Sequence, residues 1–526
     1  MFVSFCTSLL IELSIFATLA TSLDVTISVT APTSAATIST SLVSFSLEQD
    51  RWTDFSGTTA RNQFFFNVLD NLKQLTGSPP NIRIGADSED HTNFNPNVQF
   101  SQTIFPAISS TFPYPEATNI TVGDTYYQTA KFLPPGTHVV WGVNFGQNNI
   151  TAATLEATSI AKAFKTSDIT NAGISLDAIE IGNEADLYKS NGDRASSYTS
   201  TQYTKEWTTF ATQVISAAGI TSSSHTKLWG AAFAGSSTTT TGFSPQAIFS
   251  EGILSSTPGA LISTISQHHY SGSFCSGSGG LLQDLMTKST IRGNLTTFKP
   301  DITATRAKGL DYVLGETNSY SCHGAPGVSN AAGAAIWGLD YLLFATQIGI
   351  SKVFFHEGIG YKYNAIQPAT LTRSITDGST LSPPLAPHVQ PLYYAAVIAA
   401  EAIGNSGNTH SVELALNDTS ISGYGFYEGT KLVRAVLINS KAFLKADTSA
   451  RTTTHINLKF TGTAPTKATV KRLAIGRADD TSGVKWGGQT YETSDGRASG
   501  AITTQSISVA DGVDISETEV IMLSFT

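Results

Sequence analysis

Residues 178–184 read Ala-Ile-Glu-Ile-Gly-Asn-Glu. A short β-branched run breaks off into a glycine, an amide and a carboxylate. Such a run suits a strand covered on both faces whose far end opens onto solvent. The same texture recurs at Leu42–Phe45, Ile82–Gly85, His138–Val143, Lys227–Ala232, Ile262–Ser266, Tyr312–Gly315 and Lys352–Phe355, so that with Ala178–Ile181 there are eight runs. Between them, Asn62–Leu75 and Ala153–Phe164 carry apolar residues at helical spacing. Ala331–Ile348 is apolar on every side, as expected of a helix packed against a sheet. Eight strand–helix units over roughly 350 residues predict a (β/α)8 TIM barrel, with an open doubly wound sheet as the rival.

The texture changes after Pro391. An apolar helix, Leu392–Ile403, is followed by alternating Thr-rich segments at Val412–Ala415, Gly423–Tyr427, Leu432–Ile438, Thr453–Phe460, Ala468–Leu473 and Val520–Phe525. Alternation with Gly, Asn and Asp turns predicts a C-terminal antiparallel β-sandwich. Val25–Val29 alternates too, and is a candidate strand of that sandwich. The expected division is a signal peptide over 1–22, an N-terminal strand within 23–38, a catalytic barrel over 39–391 and the sandwich domain over 392–526.

Composition narrows the function. Of 526 residues 40% are hydrophobic, enough for a large core, while only 13% are charged and the net charge is −9. That balance excludes a nucleic-acid binder and an electrostatic membrane-surface binder. The stretch MFVSFCTSLLIELSIFATLA ends in small residues suited to cleavage near Ala20 or Ser22, so a secreted, extracellular protein is expected, with no membrane span after the leader. Asn119, Asn149, Asn294 and Asn417 head N-x-[ST] sequons and are candidate glycosylation sites. Once Cys6 leaves with the leader, Cys275 and Cys322 remain and are expected to form a disulfide joining two loops at the barrel mouth. Nothing in the sequence sets an oligomeric state.

A barrel of this kind does its chemistry at the C-terminal ends of its strands. There the sequence places Glu48, Asp87, Asn144, Asn183-Glu184, His268-His269-Tyr270, Glu316 and His356-Glu357. Glu184 and Glu316 follow strands four and seven, on opposite sides of the mouth. Two facing carboxyls suit glycoside hydrolysis, in which a neutral one protonates the leaving oxygen and an ionised one attacks the anomeric carbon or activates water. Asn183, beside Glu184, is placed to donate to a sugar 2-hydroxyl. The sequence lacks a nucleophile elbow, a zinc helix, a phosphate loop and a dinucleotide fingerprint, so neither cofactor nor metal is expected. His268 and His269 are read as packing residues, since neighbours on a strand face opposite ways. Trp52, Trp141 and Trp229 are read as core.

SFSLEQDRW (44–52), NIRIGADSED (81–90), AIEIGNEADLY (178–188), YVLGETNSYSCHG (312–324), the block from Gly327 to Gly358 and QPLYYAAVIAAEAIG (390–404) resemble glycoside hydrolase family 79, which includes β-glucuronidases and heparanase. The resemblance implies a retaining double displacement with Glu184 as acid/base and Glu316 as nucleophile. By position it also implies that Tyr270, Tyr320 and Tyr363, with loop amides of 319–324, hold a uronate carboxylate, and that Glu48 and Asp87 accept from sugar hydroxyls. RIGADSED departs from the family pattern at Asp87. No basic cluster marks the mouth, which favours removal of a terminal β-linked glucuronate or 4-O-methylglucuronate over cleavage within sulfated chains. The partner expected is therefore a carbohydrate with a terminal β-glucuronate. The alternatives are a retaining β-glycosidase acting on neutral sugars and a barrel lectin that binds without turnover.

Overall fold

The computed structural model describes residues 21–526. Apart from its last two positions, the expected leader lies outside them. Eight parallel strands close into a barrel in chain order. They are β1 (Val43–Glu48), β2 (Ile82–Gly85), β3 (His138–Val143), β4 (Ser175–Ile181), β5 (Lys227–Phe233), β6 (Ile262–Ser273), β7 (Asp311–Ser321) and β8 (Lys352–Glu357). Seven contain one of the apolar runs whole, and the first run, Leu42–Phe45, begins one residue before β1. The TIM barrel is therefore the observed fold, and the open sheet is excluded.

Strands β6 and β7 run well past the ends of their apolar runs. They stay paired beyond the rim, with Gly272 opposite Tyr320 and Ser273 opposite Ser321. Cys275 and Cys322 then join in a disulfide just past this pairing, with Cα atoms 5.0 Å apart. Glu316 consequently lies inside a strand rather than just after one. Hydrophobicity cannot reveal that extension, because the backbone ladder and the disulfide hold it in place of apolar burial.

Inside the barrel, Val140, Ala178, Trp229, Val313 and Phe354 form an apolar plug. Trp229 and Phe354 meet edge to face, 5.2 Å between centroids. Outside it, helix Ala332–Gln347 is buried along nearly its whole length and packs on helix Leu392–Ile403. Its one charged residue, Asp340, is satisfied by Arg292 at 2.6 and 3.0 Å, Tyr424 at 2.6 Å and Ser422 at 3.1 Å. Tyr424 and Ser422 belong to the sandwich, so this buried carboxylate ties the two layers together. Trp52 and Trp141 are fully buried and Trp229 nearly so, all three as core.

The larger sandwich sheet is ordered Ala36–Ile38, Thr409–Glu413, Ile421–Glu428, Lys431–Asn439, Glu519–Phe525, Lys467–Ala474, Lys485–Trp486, with Gln505–Ser508 also paired to Lys467–Ala474. The smaller sheet joins Thr21–Ser28, Thr453–Thr461 and Val513–Ser516. Thr21–Ser28 pairs parallel to Thr453–Thr461, so the sandwich is not wholly antiparallel. An N-terminal strand that no hairpin joins to its neighbour is free of the geometry that imposes antiparallel pairing.

Candidate active site

The polar centre is assembled layer by layer up the barrel. Along β4, Ala178 belongs to the apolar plug, Glu180 to a polar layer above it, and Glu184 to the rim. Arg83 of β2 occupies that polar layer and is completely buried. Its guanidinium donates to Glu180 Oε1 from Nε at 2.7 Å, to Glu316 Oε2 at 2.8 Å, to Ser46 Oγ at 2.9 Å and to Asn183 Oδ1 at 2.8 Å. Glu89 lies 3.9 Å from the same guanidinium and fits against Gly85 and Gly142, where a Cβ would strike its carboxyl group.

Glu184 emerges from a tightly determined turn. Asp90 accepts from the backbone N–H of Phe145, Gly146 and Asn183 at 3.0, 2.8 and 3.2 Å and from the Tyr188 hydroxyl at 2.6 Å. Gly182 (φ 76°) approaches Phe145 and Tyr188 too closely for a side chain. Glu184 itself is held at φ 50°, a left-handed conformation unusual for a non-glycine residue, and its N–H donates to Ala232 O at 2.8 Å. These contacts aim the carboxyl into the barrel mouth.

Carboxylate oxygens of Glu184 and Glu316 and a nitrogen of His268 all lie within 4.8 Å of one another. His268 Nδ1 is 2.9 Å from Glu184 Oε1 and 3.9 Å from Glu316 Oε2. Tyr270 donates to Glu316 Oε1 at 2.8 Å. The two carboxyls differ sharply in proton affinity. Burial, then the charges of Glu316, Asp186 and Asp87, push Glu184 well above the usual carboxyl range. Burial also works to raise Glu316, but His356, His268, Arg83 and the Tyr270 hydrogen bond outweigh it and hold the group at about 2. Burial brings His268 down to about 3 and lowers His356 as well. Arg83 is the cation beside Glu316 whose charge does not depend on pH. One carboxyl is kept protonated and the other ionised, as glycosidic cleavage requires.

The surrounding cleft has a volume of about 660 Å³. Glu48, Asp87, Asn183, Tyr270 and Tyr363 line it, as do Glu116, His323 and His356, and its lining contains no Lys or Arg. Glu48 is nearly fully buried, taking Ser88 Oγ at 2.5 Å and His356 Nε2 at 3.1 Å. Asp87 is more open, its side chain 55% exposed. With Asn183 Oδ1 engaged by Arg83, the amide N–H group is what Asn183 has to offer a ligand. Tyr363 lies 5.9 Å from Tyr270, ring to ring. Tyr320 is placed elsewhere. Its ring fills the space above Gly272 and Gly280 and is not part of the cleft lining, although its neighbours Gly272 and Ser321 are. His268, read as packing, instead contacts the facing carboxyls, while His269 turns outward to Tyr341 Oη at 2.8 Å.

Several site residues escaped the sequence reading. Glu116 and His323 pair at 2.5 Å on the cleft wall, and His323 stacks on Tyr361 with centroids 3.8 Å apart. Nothing near Glu116 in sequence signals this. Arg83 and Glu180 did carry a signal. Each is a charge inside a strand buried on both faces, and such charges need partners. The sequons Asn119, Asn149 and Asn417 are exposed and Asn294 is half-buried. Asn149 also caps helix Ile150–Ala163 through Oδ1, which leaves its amide nitrogen unused by the cap.

A closed parallel barrel with two facing carboxyls of opposite protonation at strands four and seven defines a glycoside hydrolase. Comparison with known proteins places it more narrowly. Residues 423–522 match the glycosyl hydrolase family 79 C-terminal beta domain. A β-glucuronidase of Aspergillus niger is 28% identical over 497 residues, covering 89% of this chain and 87% of that protein. One from Neurospora crassa is 26% identical, covering 85% and 84%. A 4-O-α-L-rhamnosyl-β-D-glucuronidase from Fusarium oxysporum superimposes with a TM-score of 0.77 at 21% identity, covering 96% of this chain and all of that one. Residues 423–522 thus carry the family 79 C-terminal β-domain, and most of the chain is similar to β-glucuronidases.

Proposed function

We propose that the protein is a secreted, retaining β-glucuronidase that removes terminal β-linked glucuronate or 4-O-methylglucuronate from carbohydrates. The observation that carries the mechanism is the close approach of Glu184 and Glu316, oxygens within 4.8 Å, with their proton affinities driven apart. An oxygen–oxygen approach within 4.8 Å fits a retaining pair, whose carboxyls lie about 5–5.5 Å apart. In the first step Glu316 forms a bond to the anomeric carbon while the glycosidic C–O bond breaks and Glu184 gives its proton to the departing oxygen. In the second, Glu184 takes a proton from water, whose oxygen replaces Glu316 at the anomeric carbon. Arg83 and Tyr270 keep Glu316 ionised and oriented, and Asn183 donates to the 2-hydroxyl.

Support for glucuronate comes from the β-glucuronidase relatives. On the cleft wall Tyr363 is left as a hydroxyl donor for a uronate carboxylate. The test is to compare hydrolysis of matched aryl β-glucuronide and β-glucoside. Faster turnover of the glucoside would transfer the reading to a neutral-sugar glycosidase, and binding without turnover of either to a lectin. Glu316→Ala should abolish turnover, with azide restoring part of it as a glycosyl azide. Secretion is supported by the disulfide and by three exposed sequons. N-terminal sequencing of protein from culture medium checks it, with Thr21 to Leu23 as the expected first residue.

A further inference from the structure

At the end of the barrel away from the cleft, three side chains from neighbouring strands converge. His138 opens β3, Asp177 lies near the start of β4, and His225 precedes β5 by two residues. His138 Nδ1 is 2.8 Å from Asp177 Oδ1, and His225 Nε2 is 2.9 Å from that same oxygen. All three ligand atoms lie within 4.8 Å of one another. Ser175 donates to Asp177 Oδ1 at 2.8 Å and fixes the carboxylate from behind. None of these groups takes part in the hydrolytic chemistry.

We propose that His138, Asp177 and His225 form a binding site for a divalent transition-metal ion of the zinc or copper type. Two imidazoles and one carboxylate favour such an ion over calcium or magnesium, which prefer oxygen alone. In a tetrahedral site with metal–ligand bonds of about 2.0–2.2 Å the donor atoms stand about 3.3 Å apart. The two His–Asp177 separations, 2.8 and 2.9 Å, need open by only about half an ångström, and the two ring nitrogens already lie within 4.8 Å. The ion replaces the protons now shared between the two rings and Asp177, and those protons leave to solvent. Three ligands leave one position for water, and the side chains are accessible, with His138 47% and His225 66% exposed. Because the ligands come from three consecutive strands, a bound ion clamps the barrel's closed end.

The test uses the untagged full chain at about pH 7.5, above the ordinary imidazole pKa of about 6.5. Calorimetric titration with Zn²⁺ and electron paramagnetic resonance with Cu²⁺ are run on the wild type, His225→Gln, Asp177→Asn and Glu184→Gln. One ion per chain is expected, with nitrogen hyperfine structure in the copper spectrum and a zinc-dependent rise in unfolding temperature. His225→Gln and Asp177→Asn should weaken binding more than about tenfold, since loss of even an outer-shell partner does as much. Both variants should keep wild-type glycosidase activity, which shows that they fold. Glu184→Gln should bind as the wild type does. Absence of saturable binding, equal binding in the His225 and Asp177 variants, or loss of binding in Glu184→Gln (which would put the ion among Glu184, His268 and Glu316) would overturn the proposal.

Discussion

Replacing Tyr270 by Phe removes one hydrogen bond and little else. The hydroxyl donates to Glu316 Oε1 at 2.8 Å, and the ring packs near Tyr363. Phe preserves the ring. A hydrogen bond to a charged acceptor contributes about 1.5–3 kcal/mol. At 1.36 kcal/mol per pKa unit this corresponds to about one to two units. Glu316, held at about 2 in the intact site, should therefore titrate near 3–4 in the variant. Arg83 remains, so the group stays below the ordinary carboxyl value. The nucleophile works only when ionised, and raising its pKa moves the acid limb of the activity profile upward. The assay is kcat/KM for an aryl β-glucuronide from about pH 3 to 8, with intrinsic fluorescence followed at each pH to confirm folding. The substrate's own carboxyl titrates identically in both proteins, so the difference between the curves belongs to Glu316. The wild type should hold its activity toward the acid end while Tyr270→Phe declines, the two basic limbs remaining together. Superimposed acid limbs, or a shift to lower pH, would refute the assignment of Tyr270 and Arg83 as the groups that hold Glu316 ionised.

Three further outcomes are expected. Glu184→Gln should slow hydrolysis of glucuronides with poor leaving groups far more than of those with good ones, and should lose the basic limb, as kcat/KM against leaving-group pKa will show. Opening the Cys275–Cys322 bridge by substituting both residues with Ser frees a loop with a sequence separation of 47 and should destabilise by about 4 kcal/mol on the chain-entropy model, read by denaturant unfolding. KM should also rise, because Cys322 and His323 line the cleft. Asp340→Ala removes the buried partner of Arg292, which keeps Glu413 at 2.7 Å, and should cost about 1–3 kcal/mol, lowering the unfolding temperature of barrel and sandwich together while activity at 25 °C persists.

The barrel was legible because each strand is covered on both faces and so writes itself as an unbroken apolar run. The facing pair was legible for a related reason, since Glu184 and Glu316 stand where such runs stop. What stayed hidden depends on partners distant in sequence. Glu116 meets His323 across 207 positions through two loops whose paths no periodicity encodes. Tyr320 was misplaced because its ring turns onto Gly272 and Gly280, a contact no sequence pattern encodes. Arg83 and Glu180 were readable in principle. Each interrupts an apolar strand with a charge, and a charge inside a barrel implies an opposite one within reach.

That buried arginine, together with His356, His268 and Tyr270, separates two similar carboxyls. Glu184 and Glu316 are alike in type, lie close together and are both taken out of water, so burial alone would drive both toward the neutral form. Arg83 reaches only one of them, at 2.8 Å, and its remaining donors are committed to Glu180, Ser46 and Asn183. Glu180 in turn supplies a counter-charge within the barrel, while Glu89, with both oxygens buried and without a hydrogen-bond partner, is pushed well above the usual range by burial and holds a proton. A site that only had to bind sugar would not need this asymmetry, because acids in a single protonation state can hydrogen-bond hydroxyls. A site that must donate a proton on one face of a sugar and attack with an anion on the other needs it, and the strand-two arginine beneath the cleft provides it.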